Sequence, residues 1–295
     1  LTAYCLLPTA YCLLLTAYCL LTYCPLPPFR SSLAFRYTSG MITSRSNTQV
    51  KYVRRLLAER RFRHDEAAFV VEGTRWLREL VAAGVTPRAL YATPAWAAGA
   101  EEQALLAALA VEPTPVEETV MAAMSDTEAA PGVLAVLPLE ARPLPAAPTL
   151  LVILDAVSNP GNLGTILRTA AAAGADGVLL GPGSVDPYNP KVVRGSMGAV
   201  LRLPVWAENW EVIGRLAAGM DVWLATARDG VPYTSVDWRR PAAVLIGSEA
   251  QGTGAQAERL ATGRVNIPMH AATESLNAAM AAGILLFEAA RQRAL

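Results

Sequence analysis

The sequence predicts an α/β protein in two folded parts, the second built on a parallel sheet flanked by helices. Three observations carry this expectation. Short apolar runs alternate with segments of helical period from residue 67 to the end, the signature of layered α/β folds. The runs at 149–154 and 242–246 are apolar without alternation, as in strands covered on both faces. Between the two parts, Pro138, Pro143, Pro145 and Pro148 crowd a short stretch that must stay extended and semi-rigid. The expected division is therefore a low-complexity segment at 1–40, a small α/β domain at 41–138, a linker at 139–148 and a second domain at 149–295.

Residues 1–40 differ from the rest. Leu-Thr-Ala-Tyr-Cys-Leu-Leu at 1–7 recurs almost unchanged at 8–14 and 15–21, and a degraded copy follows. Cys5, Cys12, Cys19 and Cys24, all the cysteines of the chain, lie here, so the remainder has neither a thiol nucleophile nor a cysteine zinc site. The segment lacks the basic start of a secretory signal, and Pro8 and its polar steps break it as a membrane helix. A translated DNA repeat upstream of Met41 as natural initiator is the expectation, with the protein cytoplasmic and away from membranes.

Of the 295 residues, 53% are hydrophobic, enough for two sizeable cores. Basic and acidic residues balance at 25 each, so a polyanionic partner must be met by a local patch. Residues 47–63 supply the one concentrated patch. Val50, Val53, Leu56 and Leu57 recur at helical spacing, while Lys51, Arg54, Arg55, Arg60, Arg61 and Arg63 form a basic face. A solvated surface is the plain alternative, but this density against a neutral background favours phosphate contact. Strands are expected at 67–72, 88–92, 111–116 and 132–137, and helices at 73–83, 101–110 and 117–124. His64 stands alone between Arg63 and Asp65 and is expected at the surface.

In the second part, the strand at 149–154 runs into Asn-Pro-Gly-Asn-Leu-Gly-Thr-Ile-Leu-Arg at 159–168. Pro160 and Gly161 turn the chain, Asn162 is positioned to cap a helix reaching 173, and Arg168 follows within two turns. The glycine spacing is not that of a dinucleotide site, and no acidic ribose partner follows at the usual distance. A strand at 177–180 leads to a helix opening at Pro190, on which Lys191 and Arg194 lie one turn apart, suited to a substrate phosphate or merely decorating the helix. A strand at 201–205, a helix at 210–218 and a strand at 221–226 continue the winding. The buried strand 242–246 ends in Gly-Ser-Glu-Ala-Gln-Gly at 247–252. Gly247 permits close backbone approach, and Glu249 emerges at the carboxyl edge, where open α/β sheets keep their sites. After a strand at 264–267, Pro268 ends the ladder, and Glu274, Ser275 and Asn277 sit at the mouth of the last helix. From 276 to 290 that helix has no polar stripe, so it is expected to be buried on more than one side.

Three segments, 159–168, Ile-Gly-Ser-Glu at 246–249 with Gly252, and Ile-Pro-Met at 267–269 with Glu-Ser-Leu-Asn at 274–277, stand in this order. Together they resemble the signature motifs of the SpoU (TrmH-like) RNA ribose 2′-O-methyltransferases of the SPOUT superfamily, and the basic domain before them resembles that family's ribosomal-protein-like substrate-binding domain. Ala250 and the His270-Ala271 step depart mildly from the family pattern. The resemblance implies a trefoil-knotted parallel sheet, a homodimer packed through the last helix, and S-adenosylmethionine held around Gly247, Ile267, Met269 and Leu276. It assigns Asn162, Arg168, Glu249, Ser275 and Asn277 to the chemistry and requires no metal. Methyl transfer to a ribose hydroxyl needs alignment and help in losing a proton. Because a guanidinium gives up its proton so reluctantly, electrostatic stabilisation is preferred for Arg168, with a base role left open. Asn162 and Glu249 would position Arg168, and Ser275 and Asn277 would shape the ribose pocket. The RNA substrate implied is 23S ribosomal RNA. Transfer RNA is the alternative, as is a silent RNA-binding ribosome-assembly factor, although that function has no use for the intact polar set; the basic first domain disfavours small-molecule methylation.

Overall fold

The computed structural model describes residues 40–248, 252–270 and 274–294; the repeat at 1–28 lies outside them. Residues 40–294 belong to one compact unit.

The basic segment begins with α1 (Thr48–Ala58), capped by Asn47, whose Oδ1 accepts from the Gln49 amide at 2.8 Å. A single helix over 47–63 is expected from the periodicity, but the chain breaks at Glu59 (φ −108, ψ 112) and resumes as α2 (Arg60–Asp65). The cause is Arg63. Its Nη1 donates to the Leu56 and Leu57 carbonyls at 2.7 and 3.2 Å, occupying acceptors that a continuous helix would use for its own amides. Arg63 therefore leaves the basic face and is buried.

Next come β1 (Ala68–Glu72), α3 (Thr74–Ala83), β2 (Ala89–Ala92), a single turn α4 (Pro94–Ala97), α5 (Ala100–Leu109), β3 (Thr114–Pro115), α6 (Glu118–Met124) and β4 (Val133–Pro138). The four strands form one sheet in the order β1-β4-β2-β3; β4 runs antiparallel to both its neighbours, and β3 pairs parallel to β2. The turn α4 is not visible in the hydrophobic pattern, because it is made by Thr93 capping the Trp96 amide and by Pro94 at the helix start. The proline-rich stretch lacks regular structure but is docked at two points in its first half. The Leu139 amide donates to the Ala67 carbonyl at 2.8 Å, and Trp206 Nε1 donates to the Arg142 carbonyl at 2.7 Å.

The second sheet follows from β5 (Leu150–Leu154), α7 (Pro160–Ala172), β6 (Gly177–Leu180), α8 (Pro190–Ser196), β7 (Val205–Ala207), α9 (Trp210–Leu216), β8 (Asp221–Thr226), β9 (Val231–Pro232), β10 (Ala242–Ile246), α10 (Ala255–Leu260), β11 (Gly263–Asn266) and α11 (Ala278–Arg293). Its order is β7-β6-β5-β10-β8-β11-β9, and every pairing is parallel. All carboxyl ends therefore open on one edge. The central strands β5, β6 and β10 are buried throughout, as their unbroken apolar runs require.

The strand expected at 201–205 is instead a 3-10 turn (Ala199–Leu201) followed by β7. Gly198 at φ 88 turns the chain, and Val200 and Leu201 are drawn away from the second sheet into the core of the first, where they join Phe69, Leu77 and Leu137. Tyr188 and Val193 enter the same core. The two sheets thus share apolar packing and do not merely hang from a linker.

Two helices cross closely at the centre. Gly164 of α7 faces Gly195 of α8, and a Cβ at Gly164 would lie 2.9 Å from both the Gly195 Cα and the Val192 carbonyl oxygen. Only glycine admits that approach.

Candidate active site and cofactor cavity

The carboxyl ends of β8, β10 and β11 and the segment leading into α11 enclose a cavity of about 380 Å³, open to solvent. That size falls in the range of about 300–1,000 Å³ common for small-molecule sites. Gly247 and, some twenty positions on, Ile267, Met269, Ser275 and Leu276 line it together. Leu224, Thr226, Thr253 and Arg264 also line it. Of these only Thr226 carried a signal in the sequence, its place at the carboxyl end of a strand in a parallel sheet.

The loop after β10 closes on itself. Ser248 and Gly252 exchange backbone hydrogen bonds of 2.9 Å in both directions, and Asp155 Oδ2 at the end of β5 accepts from the Gly254 amide at 2.6 Å. Gly247 is required here, since a Cβ would lie 2.5 Å from Thr253 Oγ1 and 2.7 Å from the Gly252 carbonyl oxygen. Glu249, with Ala250, lies outside the described residues.

Glu274, Ser275 and Leu276 precede α11 and do not form its first turn; Asn277 is the cap. Asn277 Oδ1 accepts from the Ala279 and Met280 amides at 3.0 and 3.3 Å, while its Nδ2 donates to Asn162 Oδ1 at 3.0 Å. Asn162 is thus not the cap of α7. Asn159 has that task, accepting from the Gly161 and Asn162 amides. The side chain of Asn162 instead ties α7 to the mouth of α11.

Arg168 occupies the exposed stripe of α7 with Gly161 and Thr165. Six residues separate it from Asn162, which is ~9 Å along the helix and ~120° around it. The structure therefore puts the two on one helix but not on one face, and Arg168 is not among the cavity's lining residues.

Within the cavity wall, Arg264 is balanced by Glu258 at 3.6 Å and Asp229 at 3.8 Å. Among the described residues no cluster of His, Cys, Asp or Glu is arranged to hold a metal ion, and no helix is long and apolar enough to cross a membrane.

Of the basic residues singled out in the sequence, Lys51, Arg54 and Arg55 share one exposed face of α1, and Arg60 and Arg61 are exposed on α2. Arg55 pairs with Glu59 at 3.0 Å and stacks 3.9 Å over the Phe62 ring; Arg61 pairs with Asp65 at 3.6 Å. Arg63 instead binds Asp186 at 2.6 and 2.8 Å, joining α2 to the loop between β6 and α8. His64 is exposed as expected, with Nε2 at 3.6 Å from the same carboxylate. On α8, Lys191 is exposed, whereas Arg194 is held by Asp126 at 3.0 Å.

Residues 149–287 match the family described as the SpoU rRNA Methylase family, and residues 47–135 match the MRM3-like substrate binding domain. The chain is 35% identical over 263 residues to an uncharacterised tRNA/rRNA methyltransferase of Synechocystis, a match spanning 85% of this chain and 94% of that protein. It is 32% identical over 265 residues to a 23S rRNA (uridine(2479)-2′-O)-methyltransferase of Streptomyces viridochromogenes, spanning 85% and 92%. The crystal structure of an AdoMet-bound rRNA methyltransferase from Sinorhizobium meliloti superposes with a TM-score of 0.75 at 31% identity, covering 85% of this chain and 97% of that one.

Proposed function

The chain belongs to the SpoU family of RNA methyltransferases, and from that premise we propose that it transfers the methyl group of S-adenosylmethionine to a ribose 2′-hydroxyl of large-subunit ribosomal RNA. The observation that carries this reading is the convergence of Gly247, Ile267, Met269 and Leu276 on one cavity at the carboxyl edge of the sheet. The cavity suits this cofactor in its chemistry. Leu224, Ile246 and Leu285 offer apolar surface to an aromatic base, and the strand ends offer backbone donors and acceptors to its edge. The one cationic side chain in the lining among the described residues, Arg264, is balanced by its carboxylate partners, so a sulfonium is not repelled.

When bound, S-adenosylmethionine supplies an electrophilic methyl group on a cationic sulfur. The protein's own part is alignment and charge. Ser275, on the cavity lining beside the capped end of α11, is placed to meet the ribose. The Asn162–Asn277 hydrogen bond holds that helix end against α7. Arg168 acts from outside the cavity, its guanidinium stabilising the alkoxide that develops as the hydroxyl loses its proton. Glu249 belongs to the same polar set.

The exposed cations of α1 and Arg61 of α2 hold RNA phosphates, Arg60 also contacts the RNA, and Lys191 is a further contact. The active protein is a homodimer joined through α11, and its sheet is threaded as a trefoil knot. Supporting the first of these, Leu276, Met280 and Phe287 are exposed by 37%, 61% and 53%, and they are half of the large apolar side chains that stand exposed among the described residues.

The test is transfer of labelled methyl from S-adenosylmethionine to purified RNA. Label entering large-subunit ribosomal RNA is the expected result; label entering transfer RNA alone, or neither, would overturn the assignment.

A further inference from the structure

A second cavity, of about 240 Å³, opens on the same edge of the sheet at the ends of β6 and β7. Its floor is the Gly181-Pro182-Gly183 loop, with Leu180 and Val185 as apolar wall. Gly183 holds a backbone conformation at φ 87 that other residues rarely adopt. Two charged side chains face into it from different parts of the molecule: Arg60 from α2, and Glu208 from the residue after β7.

In the basic segment Arg55, Arg61 and Arg63 are paired, with Glu59, Asp65 and Asp186, and among the cations left over Arg60 is the one that lines this cavity. Arg60 has no hydrogen bond or ion pair with any described residue. Glu208 is half-buried, its amide donates to the Leu180 carbonyl at 3.0 Å, and its carboxylate likewise has no described partner. Arg60 and Glu208 line one cavity without pairing to each other. The Glu208 carboxylate is not sealed from solvent, so it stays open to a donor that enters the cavity.

We propose that this cavity reads a guanine base of the RNA, one that neighbours the methylated nucleotide. This rests on the RNA methyltransferase reading above and adds the identity of a substrate base to it. Guanine alone among the four bases presents two adjacent donors, N1–H and the 2-amino group, that a carboxylate accepts together, and it carries the acceptors O6 and N7 that an arginine fork favours. Glu208 accepts from the first pair, and Arg60 donates to the second. The base lies over Leu180 and Val185. The cavity is smaller than the first and suits a single base better than a whole cofactor. The nearest strands of the two cavities, β6 and β10, are two positions, about 10 Å, apart along the edge, so one RNA strand can serve both. The segment bearing Arg60 is anchored to the second sheet by the Arg63–Asp186 pair, which fixes the distance between the two halves of the reader.

The experiment uses the full chain and fluorescently labelled hexanucleotides UUGUUU, UUAUUU and UUIUUU, the last carrying inosine, which lacks the 2-amino group. Wild type is expected to bind the guanine probe about tenfold more tightly than the adenine probe, with inosine between them. Glu208→Gln is expected to erase the preference by weakening the guanine probe alone, and Arg60→Ala to weaken all three while flattening the difference. Equal binding of guanine and adenine probes by wild type would overturn the proposal, and so would a preference that survives Glu208→Gln. The inosine comparison needs no variant, so it holds even if a substitution disturbs folding. Methyl transfer to ribosomal RNA, measured beside it, separates the two claims: transfer without guanine preference removes this inference alone, and guanine preference without transfer removes the enzymatic reading.

Discussion

Arg168 is the residue on which the proposed chemistry turns, and its position makes a sharp prediction. It lies outside the cavity that Gly247, Ile267, Met269 and Leu276 line, so Arg168→Ala should lose methyl transfer by on the order of 10²- to 10³-fold while S-adenosylmethionine affinity, read by calorimetry, stays unchanged. A loss of cofactor binding in this variant would mean that the residue supports the fold instead. A second residue-scale prediction concerns pH. Hydrogen bonds from Arg291 and Gln292 hold the Glu288 carboxyl down at about 2, and Gln292 in turn bonds the Val236 carbonyl and the Trp238 amide at 3.0 and 2.9 Å. A carboxyl depressed in the folded state contributes stability that is complete above its ordinary value of 4.5 and is lost as pH falls from there towards 2. Thermal unfolding between pH 5 and 2.5 should therefore show an acid-side loss in wild type that is smaller in Glu288→Gln. Gly247, Ile267, Met269 and Leu276, which meet at one cavity, were visible in the sequence because they fall in compact motifs, as does Arg168. It gave no sign that Asn162 would bond Asn277 across 115 positions, or that Arg63 would be buried, since each depends on a partner that only the fold supplies.

At the scale of elements, the crossing of α7 and α8 deserves a direct test. The predicted Cβ contacts at Gly164 are with backbone atoms, which cannot rotate aside as a side chain would. Gly164→Ala should lower stability by on the order of 1–3 kcal/mol, read as a fall in melting temperature, and a neutral result would show that the helices separate freely. Helices and strands of the second sheet were legible from apolar runs, but their caps were not: Asn159, Asn189 and Asn209 open α7, α8 and α9, where the sequence pointed to Asn162 for the first of them. The misreadings have physical causes. The break at Glu59 comes from an arginine side chain taking helix carbonyls, and the loss of the strand at 201–205 comes from Val200 and Leu201 being more useful to the first core than to the second sheet. The short β9 and α10 carry too few apolar residues to announce themselves.

For the whole molecule, the proposed assembly turns on α11. The sequence showed a helix without a polar stripe, and the structure divides its apolar residues in two: Ala282, Leu285, Leu286 and Ala289 are buried in the protein's own core, while Met280 and Phe287 face outwards. Leu285 is thus no test of dimerisation, because a charge there would unfold the subunit. Met280→Glu or Phe287→Glu should instead give a folded monomer by analytical ultracentrifugation, with a far-ultraviolet spectrum like wild type and little methyl transfer. An unchanged dimer would move the contact to another face.

The most direct measurement of the central claim is the chemical position of the transferred methyl group. Large-subunit ribosomal RNA methylated in vitro with labelled S-adenosylmethionine is digested to nucleosides and separated by chromatography with mass detection. The expected result is label confined to a single 2′-O-methylnucleoside and absent when Arg168→Ala replaces wild type; label on a base-methylated nucleoside, or no label in RNA, would contradict the account.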